Sequence, residues 1–303
     1  MIYPAPHGNK LRALLQNEKL PSGDRERIER AISRYQTWRQ TLMNLPRGTS
    51  DVVKEAVRLL NEYRLFLDLD IVFDSENDFL YRQKGQLKLD NTVVEEFLPI
   101  LVSIAFPDFP DTLTLGMKSC FGAIYFTSTA GMISTSPKAR IRTKDHDFTI
   151  SRQMYLKASF DPHYAQGVDQ LEVSLAYLCA ECKTNLDKTM FQEACATAHD
   201  VKTVVPGAKY LIICEWLDMI PVSTAGTDVD EVLILRKARR LGAQTRSLFA
   251  SYAGRVAGQE LYARYLNDNP FAVDVFERFL THVRLLLEDR SPDERDVLER
   301  GWF

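Results

Sequence analysis

The 303 residues are 45% hydrophobic and 26% charged, ordinary globular proportions that exclude a disordered chain and suit one large or two modest domains. A net charge of −3 and a pI near 6.0 exclude a polycation, so any nucleic-acid contact must come from local basic surface balanced by acidic surface elsewhere. The longest apolar run, Phe97 to Phe106, has about half the ~20 residues of a membrane span and is broken by Pro99, and the opening MIYPAPHGNK does not read as a signal peptide. The expectation is a soluble cytoplasmic protein with no membrane part.

The first fifty residues are predicted helical and mildly basic, with nine Lys or Arg against four acids. Ser22 is placed as the cap of a helix running to about Leu45, with Ile28, Ile32 and Tyr35 at helical spacing. Its basic face is either solvated or in contact with phosphates. Thr49 or Ser50 starts a second helix through Val52, Val53, Ala56, Leu59, Leu60 and Tyr63. The polar stretch Asp74 to Asp90 reads as a connection, and a boundary near residue 90 divides a helical region, 1–90, from the remainder, 91–303.

Beyond that boundary, Thr92 and Glu95 have capping-box spacing for the helix NTVVEEFLPILVSI. Glu95 and Glu96 are favoured there by the helix dipole alone; the alternative is that Glu96 reaches a metal site. From Phe121 the texture turns to β. In DFTISRQMYLKAS the even positions Phe148, Ile150, Met154 and Leu156 are apolar and the odd ones polar, as for a strand with one buried face. A turn around Asp161, Pro162 and Gly167 leads into a second strand from Leu171, which ends in Glu181-Cys182-Lys183.

If those strands form a hairpin centred near residue 165, residue i faces residue 330 − i. Asp147 then stands opposite Lys183 and Thr149 opposite Glu181, with Asp147, Glu181 and Lys183 on one face at the open end. A carboxylate and an ammonium two residues apart share a strand face. One can hold a metal while the other meets a phosphate or a water. An acid-x-Lys triplet is no evidence in itself, since the chain also contains Asp200-Val201-Lys202. What distinguishes Glu181-Cys182-Lys183 is its place at the end of an apolar strand, with a paired acid upstream and a helix following. His146, having an even number, is placed on the opposite face, with a structural or solvent role.

Asp187 then starts a helix to about His199. Tyr210 to Trp216 is an apolar run of the kind buried on both faces, so strand, helix and strand form a right-handed parallel crossover. Val232 to Leu235 is a further short strand that runs into Arg236, Lys237, Arg239 and Arg240, which are either a phosphate clamp or a solvated charge run. Asn269 and Pro270 open a last helix with Val275, Phe276, Phe279, Leu280, Val283 and Leu287 on one side. The expected architecture is α/β, a mixed central sheet flanked by helices behind an N-terminal helical region. Five cysteines in no framework spacing are read as free thiols, Cys179 and Cys182 being sent to opposite strand faces. No phosphate-binding glycine loop is found, which argues against an ATP-driven complex.

This order of elements resembles the PD-(D/E)XK nuclease core. More narrowly, KDHDF, AECKTNLDKTMFQEA, KYLIICEWLDM and VLILRKARR resemble restriction endonucleases of the BbvCI type, which cut asymmetric CCTNAGC-like sites. The resemblance implies a Mg²⁺-dependent hydrolase of double-stranded DNA. Asp147 or Asp145, with Glu181 and Lys183, would be catalytic. Asp147, Glu181 and the backbone carbonyl of Cys182 would hold the ion, and Lys183 would orient water or stabilise phosphate charge. No proline precedes the acid in Lys144-Asp145-His146-Asp147, which leaves Asp145 and Asp147 as alternatives. Gln192 and Glu193 are assigned to the surface, with DNA or the metal's surroundings as the alternative. An asymmetric site implies a second, different nuclease subunit, with a homodimer as the variant arrangement. Two rivals remain: a repair nuclease with the same core, and a catalytically silent DNA-binding subunit.

Overall fold

A computed structural model describes residues 4–127, 135–288 and 294–301. The chain opens with α1 (Pro6–Leu15), α2 (Ser22–Met43) and α3 (Val52–Phe66), the last continuing into a π-helical segment, Leu67–Phe73. Ile28, Ala31, Tyr35, Trp38 and Leu42 bury one side of α2, following the helical spacing of the sequence. Ser22 is the first residue of that helix and makes no capping bond.

The polar stretch after the π segment contains a helix, α4 (Asp78–Leu87), where a plain connection was expected. Only Leu80 of α4 is buried, so its sequence carries almost no apolar stripe from which to infer a helix. Next comes α5 (Asn91–Ala105), which is buried along nearly its whole length and keeps Pro99 inside it. The capping box does not form: Thr92 Oγ1 donates to the carbonyl of Lys88.

Among the described residues one five-stranded sheet forms, in the order β1 (Thr114–Phe126), β2 (Ala139–Ala158), β3 (Asp169–Leu186), β4 (Lys209–Leu217) and β5 (Glu231–Ile234). The first three strands are an antiparallel meander, and β4 and β5 run parallel to β3. The crossover from β3 to β4 is α6 (Lys188–Val204), started by Asp187, whose carboxylate accepts the Met190 N–H at 2.9 Å. A mixed sheet flanked by helices, with helices in front, is therefore what the sequence led us to expect.

Helices cover both faces of the sheet. The N-terminal helices, α5 and α9 (Val273–Glu288) pack on one, in a core that runs without a break from Leu11 to Val283. On the other face α6 buries Phe191, Ala194, Ala198 and Val201. Cys182 belongs to the first core and Cys179 to the second, and all five cysteines are free thiols, as the alternation of a strand requires.

The C-terminal third differs from expectation in two respects. The last long helix begins at Val273 because the residues before it are tied elsewhere: the Phe271 N–H binds Asn61 Oδ1 at 2.7 Å and the Ala272 N–H binds the carbonyl of Leu235 at 2.7 Å. In addition α7 (Ala243–Leu248) and α8 (Tyr252–Asp268) precede it, and α10 (Glu294–Arg300) follows. The buried residues of α8 are Arg255 and Leu266, so hydrophobic periodicity cannot reveal it. It is held by the Arg255 guanidinium, which donates to the carbonyls of Phe73, Ser75, Asn77 and Phe249.

Candidate active site

The hairpin of β2 and β3 is a fork. Its strands pair from Ala158↔Asp169 to Phe148↔Ala180 and then part, the early residues of β2 staying with β1 and the late residues of β3 with β4. Asp147 and Glu181 stand one residue beyond the last pair, at the vertex. The register sum is 328 there, not 330, so Asp147 lies abreast of Glu181 rather than Lys183, and Thr149 faces Cys179.

Two β-bulges account for the arrangement. Near the turn the sum is 327; an extra residue of β3, Tyr177, opposite Ile150 and Ser151 raises it to 328. In a regular ladder, with Tyr177 paired to Ile150, Asp147 would be abreast of Ala180 and on the opposite face from Glu181. The second bulge is in β2, where Asp147 and Phe148 together oppose Met117 of β1. It reverses the alternation, so that Phe148 enters the core with Phe279 while His146 turns to the other face against Tyr210, ring centroids 6.3 Å apart. His146 therefore shares the face of Glu181, contrary to the parity of its number.

At the vertex Asp147 Oδ2 accepts the Cys182 N–H at 2.8 Å, and Lys183 Nζ lies 2.6 Å from Glu181 Oε1. Tyr210 of β4 donates its hydroxyl to Glu181 Oε2 at 3.1 Å. From below, Asn91 of α5 donates Nδ2 to the Cys182 carbonyl at 3.3 Å and accepts from Thr184 Oγ1. These groups border a cleft of about 600 Å³ whose walls also carry Lys88, Glu95 and His146.

Glu96 does not reach the cleft, which was the alternative considered for it, and Glu95 does. Glu96 turns away to the N-terminal helices, where it accepts the His7 and Gly8 N–H groups and the Tyr35 hydroxyl at 2.6 Å and forms an ion pair with the Arg39 guanidinium at 2.8 Å. A carboxylate at the first turn of α1 is a favourable dipole partner. Gly8 permits the approach, since a Cβ there would meet the Tyr35 ring at 2.6 Å. Glu95 faces the cleft. Sequence reasoning missed it, as it missed Asn91 and Tyr210, although Asn91 and Glu95 are four apart on a helix and so share a face.

Carboxylates outnumber ammonium groups here. Burial and then the neighbouring Asp147 push the Glu95 carboxyl up to about 7. Burial also raises Asp147, against the pull of the Cys182 N–H, and Glu181 adds to the rise. Burial works to lower the Lys183 ammonium, but Glu181 and Asp147 outweigh it and its pKa rises. His146 falls to about 4 through burial, a neutral ring at ordinary pH.

Among the described residues no three His, Cys, Asp or Glu side chains close on a single point. Two carboxylates and a carbonyl are nevertheless available. A strand residue sends its N–H and C=O to the same edge, so the Cys182 carbonyl faces the side on which Asp147 sits. Three hard oxygen donors within an acid excess fit a small divalent cation that retains several waters, and do not fit a thiophilic one, because the Cys182 thiol is turned into the core.

Of the remaining residues singled out in the sequence, Asp145 also borders the cleft, but it is exposed on β2 and accepts from Ser119 of β1, whereas Asp147 accepts from the Cys182 backbone, which favours Asp147 as the acid of the vertex. The others lie apart. Gln192 and Glu193 are exposed on α6. The basic run is divided. Arg236 is 5% exposed, ion-paired with Glu215 at 3.3 Å and packed over Phe271 and Trp216, so it is withdrawn from any phosphate clamp. Lys237 pairs with Asp274 and Arg240 with Asp218, and Arg239 donates to the Met219 carbonyl. No helix among the described residues is long and apolar enough to cross a membrane.

Comparison with known proteins shows what the chain resembles. The family profile of the Bpu10I restriction endonuclease matches residues 86–303. A solved structure described as the native BbvCI A2B2 tetramer at low resolution is similar in fold, with a TM-score of 0.52 and 18% identity over 88% of this chain and 98% of that one. No curated protein sequence matches.

Proposed function

The chain belongs to the Bpu10I restriction endonuclease family, and from that premise we propose that it is a subunit of a type II restriction enzyme with PD-(D/E)XK chemistry, a Mg²⁺-dependent, sequence-specific hydrolase of double-stranded DNA. The observation that carries this reading is the vertex of the fork, where Asp147, Glu181 and Lys183 meet around the Cys182 backbone. Asp147, Glu181 and the Cys182 carbonyl would hold the ion. When bound, Mg²⁺ supplies Lewis acidity to water and to the phosphate.

The chain's own residues do the positioning. Lys183 remains protonated beside Glu181 and can direct a water or oppose the charge that grows on a phosphate oxygen. Tyr210 fixes one oxygen of Glu181, and Asn91 steadies the Cys182 carbonyl. Glu95, with its carboxyl near neutrality, can keep or release a proton at the cleft wall.

One such cleft cuts one strand, so scission of a duplex needs a second. The BbvCI structure, described as A2B2, contains two kinds of chain. We extend that arrangement to this protein, with a different nuclease subunit as partner and a homodimer as the simpler variant. Incubation with mixed duplex DNA tests the reading. Discrete fragments or site-specific nicks are expected with Mg²⁺ and none with EDTA. Lys183→Ala is expected to lower the rate by at least about a hundredfold, the usual cost of one transition-state donor. Cutting unaffected by either change would overturn the proposal, and cutting at structural defects instead of sequences would favour a repair nuclease.

A further inference from the structure

A second cleft, of about 500 Å³, adjoins the first and shares Asn91, Lys183 and Met190 with it. Its charge has the opposite sign. Arg82 and Lys84 of α4 border it on one side, and Arg240 and Arg246 on the other. Tyr81 of α4 stands in the same wall, with Lys84 over its ring.

Two of the four cations have acid partners, Arg82 with Asp78 and Arg240 with Asp218. The other two have none among the described residues. Lys84 lies over the Tyr81 ring, 4.8 Å from its centroid, and Arg246 donates Nε to the Leu241 carbonyl, which leaves the rest of its guanidinium available. Both are half-buried. A half-buried cation without a counter-charge is an expensive arrangement unless an anion arrives to complete it.

The end of α4 spans the two clefts. Lys84 faces the second, and Lys88, one turn on, faces the first. A polyanion with its reacting group at Asp147 and Glu181 would thus find cations continuing along its path. Cations so placed take the backbone of any sequence.

We propose that the second cleft is a subsite for the DNA backbone flanking the bond to be cut, in which Lys84 and Arg246 meet phosphate. This rests on the nuclease reading of the first cleft, but it concerns binding and is tested without cleavage. The full chain is titrated onto a fluorescein-labelled duplex of random sequence in EDTA over a range of salt, alongside Lys84→Ala/Arg246→Ala. A Lys54→Ala/Arg284→Ala chain, which has lost two exposed cations that border neither cleft, serves as the reference.

Each phosphate neutralised contributes about 0.9 to the slope of log affinity against log salt. The cleft variant is expected to lose nearly two from that slope, and the reference variant to keep it. An unchanged slope in the cleft variant overturns the subsite, as does an equal loss in the reference variant or a chain that binds no duplex at low salt. A chain that binds with the expected slopes yet never cuts with Mg²⁺ upholds the subsite and sinks the nuclease reading instead.

Discussion

Asp90 and Asn91 are neighbours in sequence, yet they belong to two ionic clusters built on opposite principles. Asp90 joins an interior cluster in which Arg64, 2% exposed, lies 3.1 Å from Glu215, 3.2 Å from Asp68 and 3.5 Å from Asp90, with Arg236 closing on Glu215 from the other side. Asn91 joins the cleft, which Glu95, Asp145, Asp147 and Glu181 border together with Lys88, Lys144 and Lys183. In the interior every acid has a guanidinium within 3.5 Å. In the cleft Lys183 contacts Glu181, while Glu95 and Asp147 have no ion-pair partner among the described residues and face a cavity that a cation can enter. The clusters hold the same kinds of residue, and what separates structural from functional charge is whether each acid has a cation in contact.

The most damaging change to this contrast is Arg64→Ala, which leaves Asp68, Asp90 and Glu215 buried without their common partner. Removing one member of a buried ion cluster costs about 3–5 kcal/mol, so urea denaturation should show a loss of that order. Arg64→Met, which retains the packing, still leaves Asp90 unpaired and Asp68 and Glu215 with Arg236 alone, and should not recover it. A loss below about 1 kcal/mol for Arg64→Ala would mean that the cluster does not tie α3 to β4 and to the start of α5.

Glu95→Gln sharpens the contrast from the cleft side. The Glu95 carboxyl titrates near 7 in the folded chain against about 4.5 unfolded, so its contribution is fully present below about pH 4.5 and is lost as pH rises through 7. A shift of that size corresponds to roughly 3 kcal/mol. The variant should match the unsubstituted chain near pH 4 and exceed it by about that amount at pH 8, in the absence of divalent ions. Parallel stability curves from pH 4 to 8 would contradict the acid surplus.

The fold was legible where apolar spacing or a capping residue marks an element. The stripe of α2, the two-sided burial of β4 and the Asp187 start of α6 were all written in the spacing of residues. Helices α4 and α8 were not, since one buries a single leucine and the other hangs on Arg255. For the site, the pairing of Asp147 with Glu181 and Lys183 followed from parity, but it survives only because Tyr177 adds a residue to β3. The bulge at Asp147 and Phe148 defeats the same parity for His146. A bulge leaves no mark on composition, and strand reasoning assumes that none is present. Glu95 and Glu96 could not be separated without knowing which side of α5 met the sheet, a choice made by α1 and Arg39 from far away in the sequence.

The catalytic assignment of the fork requires that the carboxylates at its vertex receive a divalent ion. Titrating Mn²⁺ into the full chain without DNA, and following the unbound ion by electron paramagnetic resonance, measures this directly. The unsubstituted chain should withdraw Mn²⁺ from solution, in competition with Mg²⁺, while Asp147→Asn and Glu181→Gln chains with intact circular dichroism should not. Equal uptake by all three would place the ion elsewhere and contradict the assignment of the fork as the catalytic centre.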